Sequence, residues 1–147
     1  MNIIGEKVRI RDKIPADSIH DIVWGLDEEI LALDPSAGET LNIHLFSIET
    51  LDSRLIGFCS LYNQTQEEVQ LGIRIGNKDY WSKGYGTEAV SMLMNYAFSA
   101  DIRRVWLKVL PSNARAIRCY EKCGFVNCGR LLLDGYNFTL MERRRDG

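Results

Sequence analysis

An α+β domain, with a mixed and mostly antiparallel sheet flanked by helices on both faces, is what this 147-residue sequence predicts. Three features carry that prediction. Three strand-like segments follow one another between residues 41 and 76, separated only by short turns. Two helix-like segments then alternate with one strand between residues 84 and 124. Near the C-terminus, an Asp-Gly pair separates two apolar runs. Strands joined by short turns pair antiparallel, whereas strand–helix–strand connections place strands parallel, so together they give a mixed sheet.

The elements follow in order. Lys7–Asp12 (KVRIRD) alternates apolar and charged residues and reads as a strand. Pro15 opens a helical segment in which Ile19, Ile22, Val23, Leu26 and Ile30 recur at helical spacing, with Gly25 a point of interruption. PSAGET (Pro35–Thr40) is a loop. LNIHLFSIET and RLIGFCSLYN flank the turn-like LDS and predict a hairpin, and Glu67–Gly76 continues the run. In that last strand Val69, Leu71, Ile73 and Ile75 share one face, with Glu68, Gln70, Gly72 and Arg74 on the other. A second helix carries Ala89, Leu93, Tyr96 and Ala97 on one face, widened by Val90 and Met92. Arg104–Leu110 is a strand. A short helix follows, capped by Ser112 or Asn113 and stopped by Gly124, with Phe125 folding back over its last turn. Asp134-Gly135 is a hairpin turn.

Composition narrows the function. Hydrophobic residues at 46% and charged residues at 26% are those of an ordinary soluble protein, and a net charge of −2 argues against a nucleic-acid-gripping surface. No apolar run reaches the roughly 20 residues of a membrane span, and MNIIGEKVRIRDK has no leader-like core, so a cytoplasmic protein is expected. The four cysteines then read as reduced thiols. Cys119, Cys123 and Cys128 lack a C-x-x-C pair or a nearby histidine, and no metal site is expected. His20 and His44 are expected to be structural or exposed.

The chemistry centres on YWSKGYGTEA (Tyr80–Ala89), a glycine-rich approach to a helix. Successive backbone N–H groups running into a helix N-terminus bind phosphates, and glycines let the anion come close to the main chain. Gly84, Gly86 and Ala89 match a dinucleotide pattern, but the preceding strand ends near Gly76, too early for that turn, and the next strand ends LKVLPSN with no acidic residue for a ribose. No Walker loop occurs. Taken alone, the segment is also compatible with a glycine-rich loop that holds nothing.

GIRIGNKDYWSKGYGTEA, followed by LPSNARAIRCYEKCGF, resembles the acetyl-coenzyme A signature of the GNAT superfamily of N-acetyltransferases. It is most similar to the branch containing ribosomal-protein alanine acetyltransferases and spermidine acetyltransferases. The resemblance covers nearly the whole chain and implies the GNAT acyl-CoA N-acyltransferase fold, with residues 1–147 as a single acetyltransferase domain. It implies that the backbone of Ile73, Arg74 and Ile75 pairs with the pantetheine arm. Trp81, Ser82, Lys83, Gly84, Tyr85, Gly86 and Thr87 would form the diphosphate loop, and Asn113 and Ala116 would approach the pantetheine. Tyr120 would stand near the sulfur as the proton donor. Where the family usually has Gln or Arg, this chain has Trp81, which shifts diphosphate binding further onto backbone groups.

Transfer requires a neutral amine, a polarised thioester and a proton for the thiolate. Reference values near 8.5 for a thiol and 10 for tyrosine make proton donation by Tyr120 uphill by ~2 kcal/mol. Related sequences often carry a carboxylate where this chain has Gln70, so Glu68 is the expected base. The acceptor is expected to be a polyamine, an aminoglycoside, an amino acid or a protein N-terminus, and Asp27, Glu28, Glu29, Asp34 and Glu39 form either an acidic rim for it or a solubilising face. The remaining alternative is a non-catalytic acyl-coenzyme A-binding module. Monomer and homodimer are both allowed.

Overall fold

The computed structural model describes residues 2–35, 37–38 and 40–146. Ser36 and Glu39, part of the expected loop and acidic rim, lie outside the described residues. The strands are β1 (Asn2–Ile4), β2 (Val8–Asp12), β3 (His44–Thr50), β4 (Leu55–Tyr62), β5 (Glu68–Ile75), β6 (Arg104–Val109), β7 (Val126–Leu133) and β8 (Tyr136–Arg144). The helices are α1 (Ser18–Gly25), α2 (Glu28–Leu33), α3 (Tyr85–Ser99) and α4 (Ala114–Lys122). All eight strands form one sheet in the order β1-β2-β3-β4-β5-β6-β8-β7, and only β5–β6 is parallel.

One face of the sheet is covered by α3. Val8, Ile10, Phe46, Ile48, Cys59, Leu61, Val69, Leu71, Val105 and Leu107 pack there with Ala89, Val90, Leu93, Met94 and Ala97 of the helix. Opposite faces of these strands follow from the period of two. Across β2 and β3 the other face carries charge: Arg9 and Arg11 both reach Glu49, and Arg11 also holds buried Asp17. On that face Trp24 of α1 meets Phe58 edge-on at 5.5 Å. Helices therefore lie on both sides of the sheet.

Several local expectations change. Residues 2–4 form a strand, too short for alternation to register, and the β1–β2 turn is held by the Glu88 carboxylate, which accepts from the Glu6 and Lys7 amides. The first helical segment is two helices broken after Gly25, and Asp27 restarts it by accepting from the Glu29 and Ile30 amides. Its apolar stripe does not face the core: Ile19, Ile22, Val23 and Leu26 are each at least 60% exposed, and only Ile30 is buried. In α3 the buried stripe runs through Met94, whereas Tyr96 lies at the rim against Phe46. As expected, Asn113 caps α4, Gly124 adopts φ 88° and Phe125 packs on Tyr120.

Candidate active site

The site begins with a break in pairing. β5 and β6 pair at Glu68–Arg104, Val69–Val105 and Gln70–Trp106 and then part. Beyond Gln70, β5 continues to Ile75 with β4 alone, and β6 continues to Val109 with β8 alone. The wedge between them presents unpaired strand edges, which is what an extended ligand needs to add as a strand.

A cleft of about 250 Å³ runs from this wedge to the start of α3. Ile73, Arg74, Ile75, Trp81, Ser82, Gly84, Gly86, Thr87, Asn113, Ala116 and Tyr120 all line it, so most of the residues expected from sequence come together. The side chains of Lys83 and Tyr85 do not line it. Lys83 is exposed, and Tyr85 packs on Tyr80 beneath the Lys7 ammonium. Their main chains run through the loop that leads into α3.

Gly84 is the N-cap of α3 at φ 88°, and no side chain caps this helix. By contrast, α2 and α4 are capped by Asp27 and Asn113. The first-turn N–H groups of α3 thus open on the cleft beside Gly86 and Thr87 without a side-chain acceptor, the electrostatic setting for an anion. Three cationic residues unforeseen from sequence, Arg115, Arg118 and Lys122, line the same end. Their spacing of three and four along α4 was the available signal. Arg115 lies 3.5 Å over the Trp81 ring, and burial lowers its pKa.

At the wedge, Tyr120 is buried on α4, and burial pushes its pKa well above the tyrosine range. Proton donation to a thiolate is therefore more uphill than sequence implied, and the hydroxyl stays a hydrogen-bond donor. Gln70, 3% exposed, accepts from Asn63 at 2.8 Å. Glu68, the expected base, is outside the cleft lining. Its register places it on the paired side of the wedge, where its carboxylate meets Arg104 at 3.1 Å; Arg104 in turn holds Glu142. Three carboxylates of the acidic rim are likewise engaged, whereas Glu28 is exposed: Lys78 bridges Asp27 and Glu29, and Arg74 donates to the Asp34 carboxylate at 3.0 Å. His44 is exposed, and the His20 ring lies tilted against Trp24 at 5.3 Å with Nδ1 buried and unpaired among the described residues.

An uncapped helix start beside a parted parallel pair is the geometry that the two motifs implied, and residues 22–126 match the acetyltransferase (GNAT) domain family. The chain belongs to the GNAT family. Its GNAT domain is 30% identical over 105 residues to the uncharacterized N-acetyltransferase p20 of Bacillus licheniformis, covering 63% of this chain and 58% of that protein. This chain thus spans less than two thirds of that relative's length. The kanamycin resistance protein of Rhizobium radiobacter is 37% identical over 87 residues, 54% of this chain and 81% of the relative. Spermidine N-acetyltransferase from Vibrio cholerae, solved with CoA and spermine, shares the GNAT fold at a TM-score of 0.78 and 18% identity, over 97% of this chain and 98% of that one. None of the described helices is long and apolar enough to cross a membrane.

Proposed function

We propose that this protein transfers the acetyl group of acetyl-coenzyme A directly to a primary amine. The observation that carries this reading is the single cleft joining the uncapped start of α3 to the β5–β6 wedge. The diphosphate sits on the amides of residues 83–87, aided by Arg115, Arg118 and Lys122. The pantetheine runs along Ile73–Ile75, and the thioester reaches Tyr120. Relatives named for kanamycin resistance and spermidine acetylation support an amine acceptor.

In the reaction the amine nitrogen attacks the thioester carbonyl, the C–S bond breaks, and the nitrogen loses a proton as the amide forms. Tyr120 donates a hydrogen bond to the departing sulfur, stabilising the thiolate where charge develops. Gln70 is an amide and Glu68 is held by Arg104, so the amine loses its proton to solvent. The four cysteines, all free thiols, suit a reducing cytoplasmic setting. The protein acts as a monomer or a homodimer.

The test is binding followed by turnover. Acetyl-coenzyme A should raise the melting temperature and NAD should not. A screen of polyamines, aminoglycosides, amino acids and N-terminal peptides should then release coenzyme A with at least one class. Stabilisation by NAD alone would refute the reading. Tight coenzyme binding with no transfer to any amine would favour a non-catalytic acyl-coenzyme A-binding module, the alternative for which Gln70 speaks.

A further inference from the structure

The charge around the wedge is the reverse of an acidic rim waiting for a polycation. Of the rim residues Asp27, Glu28, Glu29 and Asp34, Asp34 lines the cleft and is paired with Arg74, while Asp27 and Glu29, off the lining, share Lys78. Lys108 of β6, also in the lining, has no such counter-ion. Among the described residues no carboxylate lies within ion-pair distance of its ammonium, which sits 5.2 Å from the centre of the Phe138 ring. The residue is half-buried in the cleft wall, and burial lowers its pKa while Asp34 pulls the other way. A half-buried ammonium whose direct partner is a ring face keeps capacity to pair with an anion brought by a ligand.

Its position says which ligand brings that anion. Val105, Leu107 and Val109 of β6 are buried in the core under α3, so Trp106 and Lys108 stand on the opposite face. Trp106 is the last β6 residue paired with β5, and Lys108 is two residues further, beside the open wedge. The same face carries Tyr62 and Ser60 of β4 and Arg74 of β5. On the reading proposed above, coenzyme A keeps its charge at the α3 end and lays only the neutral pantetheine along the wedge. The acceptor, excluded by α3 from the core side, approaches from the face that holds Lys108.

We propose, resting on that reading, that the acceptor is an amine carrying an anionic group, a carboxylate or a phosphate, and that Lys108 receives this group and so determines acceptor specificity. An amino acid fits this description, and a spermidine-like polycation does not.

Matched pairs differing only in the anion test it: phenylalanine against phenethylamine, and phosphoethanolamine against ethanolamine. In at least one pair the anionic member should be acetylated with kcat/KM ten times or more that of its neutral partner, and which pair does so separates carboxylate from phosphate. Lys108→Gln should collapse that ratio toward one, Lys108→Arg should keep most of it, and both variants should still be stabilised by acetyl-coenzyme A, which shows that they fold. Equal rates within both pairs, a preference for the neutral members or for spermidine, no turnover of any pair member by coenzyme-bound protein, or a ratio unchanged in Lys108→Gln would each overturn the inference while leaving coenzyme binding intact. Failure to bind acetyl-coenzyme A would instead overturn the proposed function, and this inference with it.

Discussion

The indole N–H of Trp81 donates to the main-chain carbonyl of Ile75 at 2.6 Å. One side chain thereby ties the end of β5 to the loop before α3 and offers its ring face to the Arg115 guanidinium. Where the family motif usually has Gln or Arg, this chain brings in the cation from α4, stacked on an aromatic. Cation–π contacts of this kind contribute about 0.5–2 kcal/mol. Trp81→Ala should weaken acetyl-coenzyme A binding about tenfold by calorimetry, and Trp81→Phe, which keeps a ring, should weaken it less. Equal affinities for all three proteins would refute this role.

Gly86 separates folding from binding. A Cβ there would lie 3.7 Å from Ile75 and 3.9 Å from Cys119, ordinary contact distances, and its φ is not in the left-handed region. Gly86→Ala should fold with a nearly unchanged melting temperature yet raise the KM for acetyl-coenzyme A about tenfold, because the methyl stands between the amides and the anion. Gly84, at φ 88°, should behave differently: Gly84→Ala strains the backbone by roughly 1–2 kcal/mol and lowers the melting temperature.

Tyr120→Phe removes one hydrogen bond at the position of the leaving sulfur. We expect kcat to fall 10- to 100-fold, in line with about 1.5–3 kcal/mol for a hydrogen bond to a charged group, with coenzyme affinity within a factor of two. Glu68→Gln should change kcat/KM less than threefold, and the pH profile should follow the acceptor amine alone. A tenfold loss in Glu68→Gln would restore a basic role for that carboxylate.

Asp17 predicts an acid limb in stability. Its carboxylate accepts two bonds from Arg11, at 2.8 and 3.0 Å, and one from Ser47 at 2.7 Å, and Arg11 holds its pKa far below the usual carboxylate range. With the folded value depressed, the stabilisation is fully present above the unfolded value of about 4 and is lost as pH falls below it. The melting temperature should drop steeply below pH 4. Asp17→Asn should lose about 3–5 kcal/mol at pH 7 and show a shallower acid dependence. Parallel melting curves for the two proteins between pH 2.5 and 7 would refute it.

Cys119 borders the cleft with Thr87 Oγ1 3.5 Å from its sulfur, and hydrogen bonds from Cys123 and Thr87 with the nearby charges of Lys122 and Arg115 draw its pKa below the usual thiol range. Buried Cys59 is pushed the other way. Peptide mapping after N-ethylmaleimide treatment at pH 7 should find Cys119 modified well before Cys59, with acetyl-coenzyme A protecting it. Modification unaffected by saturating coenzyme would separate this thiol from the coenzyme path.

Local sequence determined the elements whose signals are local. Asn113 at a helix start, Gly124 at its end, Asp134-Gly135 between apolar runs and Gly84 before α3 each act within a few residues, and each does in the fold what its chemistry demands. The residues singled out in the two motifs also make up a large part of the cleft lining, without Arg115, Arg118 and Lys122. What only tertiary structure decided is which face each element buries and which charges meet. The helically spaced Ile19, Ile22, Val23 and Leu26 lie in solvent, while Trp24 makes the contact with the sheet. Glu68 and Gln70 are two residues apart on one strand face, but the parting of β5 from β6 just beyond Gln70 leaves Glu68 with Arg104 on the closed side. Likewise Asp27, Glu29 and Asp34, in and beside α2, met Lys78 and Arg74 from distant segments, and among the described residues Lys108 has no carboxylate within ion-pair distance. Periodicity and motif spacing act over one or two turns, whereas charge pairing depends on chain segments brought together by sheet register.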